Sequence, residues 1–323
     1  MRKKIWFAVL LAAAIYLNNS SFFVKPKEGR PLLFAHRGLA QTFPMEGITG
    51  ETNTARIIYP PEHPYLENTI PSMEASFRAG ADLVELDIQL TKDGQFAVFH
   101  DWLLDYRTDG TGPLKEYTMA ELKKLDVGYG YTSDGGKTFP FRGKGVGLMP
   151  TLDEVLARFP HEELVLHLKS DSHGDGEKLA GYLMRVSPQR LEKLTVYGGD
   201  KPIAVLAQRL PKLRVMSKAT MVRGLLSYMA VGWTGYVPKS CRGTQFHLPE
   251  KYAPWLWGWP HRFVQRMERV NTKVILVAGD GGFSEGFDRP EDLKRLPKNY
   301  TGGIWTNRID RIAPVFQREK SAI

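Results

Sequence analysis

The chain has 323 residues, 42% hydrophobic and 24% charged, a globular composition long enough for one large domain or two small ones. Its single cysteine, Cys241, excludes an internal disulfide. The net charge of +9 indicates either a scattered basic surface without a specific partner or attraction to an anionic partner. Because no long basic run or nucleic-acid motif occurs in the body of the chain, we expect a membrane surface and no nucleic acid.

The N-terminus reads as a membrane-targeting segment. An apolar run from Ile5 to Leu17 follows three basic residues and, extended through Val24, spans twenty residues, roughly 30 Å as a helix. No small-residue cleavage pattern follows it, so we predict an uncleaved signal anchor over residues 1–24, with a cleaved signal peptide as the alternative. The basic residues keep the N-terminus cytoplasmic, which places the remainder on the extracytoplasmic (periplasmic or extracellular) side. Cleavage would make the protein secreted.

Residues 25–323 alternate short apolar runs with amphipathic stretches, which predicts one α/β domain with a mainly parallel sheet. About nine strands fit a TIM (β/α)₈ barrel with an extra β-hairpin better than a doubly wound sheet, and no glycine-rich dinucleotide turn follows a strand. The predicted strands are 31–36, 83–90, 95–100, 163–169, 193–198, 213–217, 244–249, 273–279 and 302–307.

Two carboxylates and a histidine lie in the predicted hairpin "VELDIQLTKDGQFAVFHD". With Asp93–Gly94 as a two-residue turn, Asp87 lies directly opposite His100. Glu85 shares that face because strand side chains alternate with a period of two. Paired carboxylates suit a hard divalent cation, and the nearby histidine suits proton transfer, which together indicate metal-assisted hydrolysis.

Further candidates come from the ends of other predicted strands. His36 and Arg37 end the first strand, and a guanidinium offers a planar fork for phosphate oxygens. His167 and Lys169 share one face of the strand "LVLHLKS". Functional groups at the C-terminal ends of barrel strands are typical of this architecture.

The segments "AHRG", "LENTIPSMEASFRAGADLVELDIQLTKDGQFAVFHDWLLDYRTDGTG" and "MPTLDEVLARFP" strongly resemble the glycerophosphodiester phosphodiesterase family, with weaker similarity from "TVYGGDKPIAVLAQRLPKLRVMS" to "GGIWTNRID". The resemblance covers roughly residues 31–315. It implies a phosphatidylinositol-phospholipase-C-like TIM barrel that hydrolyses a glycerophosphodiester to glycerol phosphate and an alcohol, with one divalent cation. Within it, His36 and His100 match the general acid/base pair, and Glu85 and Asp87 match two metal ligands.

The resemblance also assigns supporting residues. Arg37 matches the phosphate-binding arginine, and Lys169 matches a lysine that neutralises phosphate charge. Glu67 and Asn68 fall in the E-N-T motif as supports behind the metal and phosphate ligands.

One position departs from the family pattern. The family usually has an acidic third metal ligand two residues before Lys169, where this chain has His167. Mg²⁺ and Ca²⁺ are the cations expected, and the imidazole makes Mn²⁺ or Zn²⁺ possible. Alternatively, Asp171 supplies the missing oxygen, or His167 only packs.

The segment 252–270 bears on the substrate. Trp255, Trp257 and Trp259 follow a predicted strand and suit a membrane interface, with core packing as the alternative. A similar apolar insertion marks the family's membrane-associated, lysophospholipase-D-like branch, so a lysophospholipid is the second candidate substrate. An inactive barrel that binds a head group or a partner is the alternative of another class, and it rests on His167. The sequence leaves open the head group, the nucleophile (water or a substrate hydroxyl) and the oligomeric state.

Overall fold

The computed structural model describes residues 2–24, 29–282 and 285–321. All nine predicted strands are confirmed, each within two residues of its expected limits. The strands are β1 Leu32–Ala35, β2 Leu83–Leu90, β3 Phe96–Val98, β4 Glu163–Leu168, β5 Leu194–Gly198, β6 Arg214–Ser217, β7 Gln245–Pro249, β8 Lys273–Val277 and β9 Gly303–Thr306.

Eight parallel strands form a nearly closed barrel in the order β6-β5-β4-β2-β1-β9-β8-β7, and β3 adds an antiparallel edge to β2. Between β6 and β7 the hydroxyl of Thr244 donates to the carbonyl of Val215 at 2.6 Å. Helices lie between the strands, as expected for a TIM barrel. They are α2 Ile70–Ala79, α3 Met119–Leu122, α4 Leu152–Arg158, α5 His173–Leu183, α6 Pro188–Leu191, α7 Asp200–Arg209, α8 Lys218–Val231, α9 His261–Glu268 and α10 Ile309–Ser321.

The strand register aligns polar side chains in rows across the barrel. Asp87 of β2 pairs with His167 of β4, and His167 pairs with Tyr197 of β5. Side chains of paired residues in neighbouring strands point to the same face, so these three form one row inside the barrel. Residues two positions along each strand, such as Glu85, belong to the same face, whereas Val84, Leu86 and Ile88 are buried against the helices.

The hairpin register predicted from the sequence is wrong by one residue. Ile88 pairs with Val98, which places Asp87 opposite Phe99, whose N–H donates to the Asp87 carbonyl at 3.0 Å. The loop has three residues between Thr91 and Gln95 instead of two, because Gly94 takes the left-handed conformation (φ 80°) that closes this longer turn. His100 therefore lies beyond the end of β3 and not on its paired face.

The connection from β3 to α4 is long and carries a hydrophobic core of its own. Leu104, Leu114, Leu122, Tyr131 and Phe141 are buried together in this cluster, which is separate from the core between the barrel and its helices. It forms a small subdomain beside the C-terminal end of β3.

The N-terminal segment differs from the predicted twenty-residue helix through Val24. Helix α1 spans Arg2–Asn19 and ends there, followed by a short 3₁₀ turn over Ser21–Phe23. Asparagine and serine side chains compete with helical hydrogen bonds: the Ser20 hydroxyl accepts from the N–H of Phe22 at 3.2 Å. In the part of the chain described, no helix has both the length and the apolar character needed to cross a membrane. The predicted domain boundary at 24/25 adjoins residues 25–28, which lie outside the described ranges.

Candidate active site

Two carboxylates lie inside the barrel near the C-terminal end of β2, and both are fully buried. Glu85 Oε2 accepts from the backbone N–H of Arg37 at 2.9 Å, and its Oε1 accepts from the Tyr197 hydroxyl at 2.8 Å. Asn68 makes two hydrogen bonds to Asp87: its Oδ1 accepts from the Asp87 N–H at 2.9 Å, and its Nδ2 donates to Asp87 Oδ2 at 3.0 Å. Each carboxylate is thus oriented by fixed donors.

The two carboxylates have opposite electrostatic environments. Burial and the neighbouring charge of Asp87 raise the pKa of Glu85 to about 8. Burial opposes ionisation of Asp87 too, but the positive charges of His100, Arg37 and Lys169 hold its pKa well below the ordinary value. Two adjacent buried carboxyl groups resist double ionisation, so the pair favours a single negative charge until a further cation enters.

An imidazole completes the cluster. His167 Nδ1 lies 2.8 Å from Asp87 Oδ1, and its ring stacks on Tyr197 with centroids 4.2 Å apart and planes 7° from parallel. This stack follows directly from the strand register, which pairs the two residues on β4 and β5. Burial lowers the pKa of His167, which favours the neutral ring that can ligate a metal.

This donor set fits a divalent metal. One ligand atom each from Glu85, Asp87 and His167 lie within 4.8 Å of one another, and two buried carboxylates need a positive charge to ionise together. Ligation through His167 Nδ1 would replace its hydrogen bond to Asp87. Asp171, the alternative third ligand, is instead on an exposed loop, where it accepts from the N–H of Lys201 at 3.2 Å.

His36 is held as a neutral ring with its proton on Nδ1. Its Nδ1 lies 2.7 Å from Asn307 Oδ1, and the Asn307 amide is fixed because its Nδ2 donates to Asp288 Oδ2 at 2.9 Å. Its Nε2 accepts from Arg37 Nε at 3.1 Å, which can only donate. Burial, followed by the charge of Arg37, puts the pKa of His36 well below its ordinary value.

His100 has a charged partner instead. Its Nδ1 lies 2.7 Å from Asp101 Oδ1, and Arg107 donates to the other oxygen of that carboxylate. Burial opposes ionisation of Asp101, but Arg107 and His100 hold its pKa below the ordinary range. Burial and Arg37 lower the pKa of His100, whereas Asp87 and Asp101 raise it. A carboxylate on Nδ1 stabilises the protonated ring when it forms.

Two cations flank the carboxylates. Arg37 adopts a left-handed backbone (φ 56°), and its side chain lies 3.1 Å from Glu67 Oε1 and 3.3 Å from Asp87 Oδ2. Lys169 Nζ lies 3.9 Å from Asp87 Oδ1, and burial lowers its pKa. Arg37 also lines a cleft of about 730 Å³ that opens from His36, which gives a substrate access to these groups.

The structure brings the nine predicted site residues into this one region, and their chemical roles stay predictions. Sequence reasoning missed other members, above all Tyr197 and Asn307. Both end strands, in "LTVYG" and "GGIWTN", so the strand-end rule that selected His36 and His167 could have found them. The strand-end rule does not point to Arg107, because Arg107 lies in the β3–α4 connection and not at the end of a strand.

The Trp segment divides between packing and exposure. Trp255 is 73% exposed on the loop after β7, and Trp257 is partly exposed. Trp259 packs against Phe263 and Tyr300, with ring centroids 6.1 and 5.6 Å apart. Core packing therefore holds for Trp259, and the membrane interface expected for this segment stays a prediction.

Comparison with solved structures places the barrel among phosphodiesterase folds. The chain is similar to the glycerophosphoryl diester phosphodiesterase domain of an uncharacterized Mycobacterium tuberculosis protein, with a TM-score of 0.62, 19% identity and coverage of 90% of this chain and 99% of that one. It is also similar to an Oleispira antarctica phosphodiesterase solved with the product sn-glycerol-3-phosphate, with a TM-score of 0.55, 19% identity and coverage of 89% and 97%. These likenesses show the fold.

The family follows from sequence. The model of the glycerophosphoryl diester phosphodiesterase family matches residues 36–204, more than half of the chain, which therefore belongs to that family. A glycerophosphodiester phosphodiesterase of Bacillus subtilis is 41% identical over 133 residues, 39% of this chain and 42% of that protein. The chain spans about two fifths of the length of the first such relatives. An uncharacterized protein from the same organism is 23% identical over 292 residues, 89% of this chain and 99% of its own length.

Proposed function

We propose that the protein is a metal-dependent glycerophosphodiester phosphodiesterase that releases glycerol phosphate and an alcohol by histidine acid/base catalysis. The observation that carries the proposal is the cluster of Glu85, Asp87 and His167 flanked by two histidines with different partners. The named activity of the curated relatives and the product complex of the Oleispira protein support the same substrate class.

The proposed metal ligands are Glu85, Asp87 and His167. A divalent cation bound there would supply Lewis-acid polarisation of a phosphoryl oxygen and acidify the attacking hydroxyl. Oxygen ligands suit Mg²⁺ or Ca²⁺, whereas the imidazole favours Mn²⁺ or Zn²⁺ relative to Ca²⁺. Glu67 and Asn68 hold Arg37 and Asp87 in place behind this set.

In the proposed reaction, Arg37 Nε leaves His36 Nε2 for a phosphoryl oxygen, and His36 Nε2 then accepts the proton of the attacking hydroxyl, since this ring is held neutral with Nδ1 protonated. The nucleophile is water, which gives glycerol phosphate directly, or a neighbouring glycerol hydroxyl of the substrate. In the second case a cyclic phosphodiester forms first, and water then opens it to glycerol phosphate with the two histidines in exchanged roles. His100, whose protonated form Asp101 stabilises, donates a proton to the leaving alcohol as the P–O bond breaks. Arg37 and Lys169 offset the charge that develops on the phosphoryl oxygens.

The test follows products of a panel of phosphodiesters by phosphorus NMR, with His100→Ala as the blank. Glycerol phosphate should appear from glycerophosphocholine or from its ethanolamine, inositol or glycerol analogue. No glycerol phosphate from any of them would contradict the proposal. Ligand binding without turnover would favour the inactive barrel that holds a head group or partner.

Lysophospholipase D activity is the second candidate, because the exposed Trp255 loop adjoins the cleft that opens from His36. Glu250 and Lys251 of this loop line a cavity together with Glu285 and Arg295, which also line that cleft. Choline release from lysophosphatidylcholine and from glycerophosphocholine is measured side by side. A larger kcat/KM for lysophosphatidylcholine favours lysophospholipase D, and a larger kcat/KM for glycerophosphocholine favours the first candidate.

We also propose, from the basic residues before the apolar run, that residues 1–24 act as a membrane anchor. They would hold the barrel domain, residues 25–323, at the extracytoplasmic face. Protease added to intact cells should digest the barrel if it lies outside. Protection of the barrel until the cells are lysed would contradict this placement.

A further inference from the structure

The end of α1 is tied to the barrel by a buried cation. Arg266 is only 5% exposed, and its guanidinium donates to Asn19 Oδ1 and to the Asn18 carbonyl, each at 2.9 Å. The side-chain amides of Asn18 and Asn19 in turn donate to the Trp233 carbonyl at 3.1 and 2.8 Å. The same guanidinium donates to the Tyr228 hydroxyl at 2.9 Å, so the junction continues into α8.

A serine makes a second attachment next to the first. The Ser21 hydroxyl donates to the Gly258 carbonyl at 2.9 Å and accepts from the backbone N–H groups of His261 and Arg262 at 3.1 and 3.2 Å. This joins the chain after α1 to the start of α9. The helix is therefore held against one side of the barrel by two attachments.

The surface around this junction is apolar and exposed. We call it the α8 face, and it consists of Val222, Leu226, Met229, Trp233, Trp255 and Trp257, each exposed by 38% or more. It is continuous, because Trp257 Nε1 donates to the Met229 carbonyl and the Tyr228 hydroxyl donates to the Trp257 carbonyl, both at 2.8 Å. Helix α1 adds further exposed surface beside this face, because none of its residues is buried.

Positive charge is concentrated in the same part of the chain. Residues 211–262 contain eight lysines and arginines and one acidic residue, Glu250, so the net charge of this segment is +7. The net charge of the whole chain is +9. Arg223 on α8 and Lys239 and Lys251 nearby are exposed. Exposed tryptophans beside lysines and arginines are typical of surfaces that rest on lipid head groups.

We infer that the α8 face docks on an anionic lipid bilayer, with the C-terminal end of α1 at the same interface. A second copy of the chain fits the face less well, since a two-fold contact would bring its excess positive charge against itself. Because Lys251 also lines the cavity that adjoins the catalytic cleft, docking would place that cleft beside the lipid surface. The inference rests on surface composition and the α1 junction, and its test requires no turnover.

The experiment is flotation of the full chain with phosphatidylcholine vesicles that contain or lack phosphatidylglycerol. We expect the anionic lipid to strengthen binding at least about tenfold and salt to weaken it, because lysines and arginines near such a surface are attracted to its negative charge. The double variant Leu226→Ser/Met229→Ser, and separately Arg223→Glu/Lys239→Glu, should each weaken binding at least about tenfold.

The matched control is Leu103→Ser/Met184→Ser, which removes exposed apolar side chains elsewhere on the barrel and should leave binding unchanged. Equal binding by all variants would overturn the inference, because α1 alone would then account for attachment. Equal binding to vesicles without phosphatidylglycerol would overturn it too. So would dimers in sedimentation velocity that Leu226→Ser/Met229→Ser dissociates, since a second copy would then cover the face.

Discussion

His36 Nδ1 lies 2.7 Å from the uncharged Asn307 Oδ1, so an amide and not a carboxylate orients this ring. His100 lies at the same distance from the carboxylate of Asp101. A carboxylate stabilises an imidazolium more strongly than an uncharged amide does. His36 is therefore suited to accept a proton first, and His100 is suited to donate one first.

Exchanging these partners should move the two limbs of the pH profile in opposite directions. Asn307→Asp raises the pKa of His36, which must be neutral to act as the base, so the acidic limb of kcat/KM should move up by about one unit. Asp101→Asn lowers the pKa of His100, which must be protonated, so the basic limb should move down. Limbs that stay in place, or move the other way, would contradict the assignment.

Metal binding should release a proton near neutral pH. Glu85 holds a proton below its raised pKa of about 8 and must lose it to ligate a cation. Affinity should therefore rise about tenfold per pH unit toward pH 8 and level off above it. Calorimetry in two buffers of different ionisation enthalpy should count about one proton released at pH 7. The absence of proton release at that pH would show that metal binding does not require Glu85 to lose a proton.

The identity of the third ligand should set the metal preference. His167→Asp replaces an imidazole by a carboxylate, which should raise the affinity for Ca²⁺ relative to Zn²⁺ at least about tenfold. Competition with a fluorescent chelator measures this ratio. Asp171→Asn is the control, because Asp171 lies on an exposed loop where it accepts from the N–H of Lys201, and this change should leave the ratio unchanged. An unchanged ratio in His167→Asp would mean that His167 only packs.

The cation of the β3–α4 connection should matter for stability. Arg107 is 2% exposed and pairs with Asp101 and with Glu67. Arg107→Met leaves the buried Asp101 carboxylate without its guanidinium and Glu67 with Arg37 alone, which should cost about 3–5 kcal/mol of unfolding free energy. Denaturant unfolding measures this loss. Arg158→Met breaks an exposed pair with Glu74 and should cost under about 1 kcal/mol. Equal costs would show that the buried network contributes no more than a surface pair.

Strand positions were predictable because buried parallel strands have a strong apolar signal, and strand ends then pointed to His36, Glu85, Asp87 and His167. The hairpin register was not, since Gly94 serves a two-residue or a three-residue turn equally well and only packing decides between them. The predicted residues still lie together despite this slip, because His100 reaches the cluster from beyond the strand end, and their roles stay predictions.

Contacts that depend on distant parts of the chain could not be predicted. The Arg107 pairs and the Asp288–Asn307 contact require the completed barrel, because neither has a local periodicity. The end of α1 is a similar case: a hydropathy run extends it through Val24, whereas Asn19 and Ser21 turn it onto the barrel by specific hydrogen bonds.

The most direct test of the central claim is the release of glycerol phosphate from glycerophosphocholine by chelator-stripped and metal-supplemented protein. Asp87→Asn is compared with Asp82→Asn, which removes a carboxylate that immediately precedes the same strand and pairs with Arg30. We predict that the parent and Asp82→Asn regain turnover with Mg²⁺, Ca²⁺, Mn²⁺ or Zn²⁺ while Asp87→Asn stays inactive. Turnover that survives stripping, or an Asp87→Asn variant as active as the parent, would contradict it.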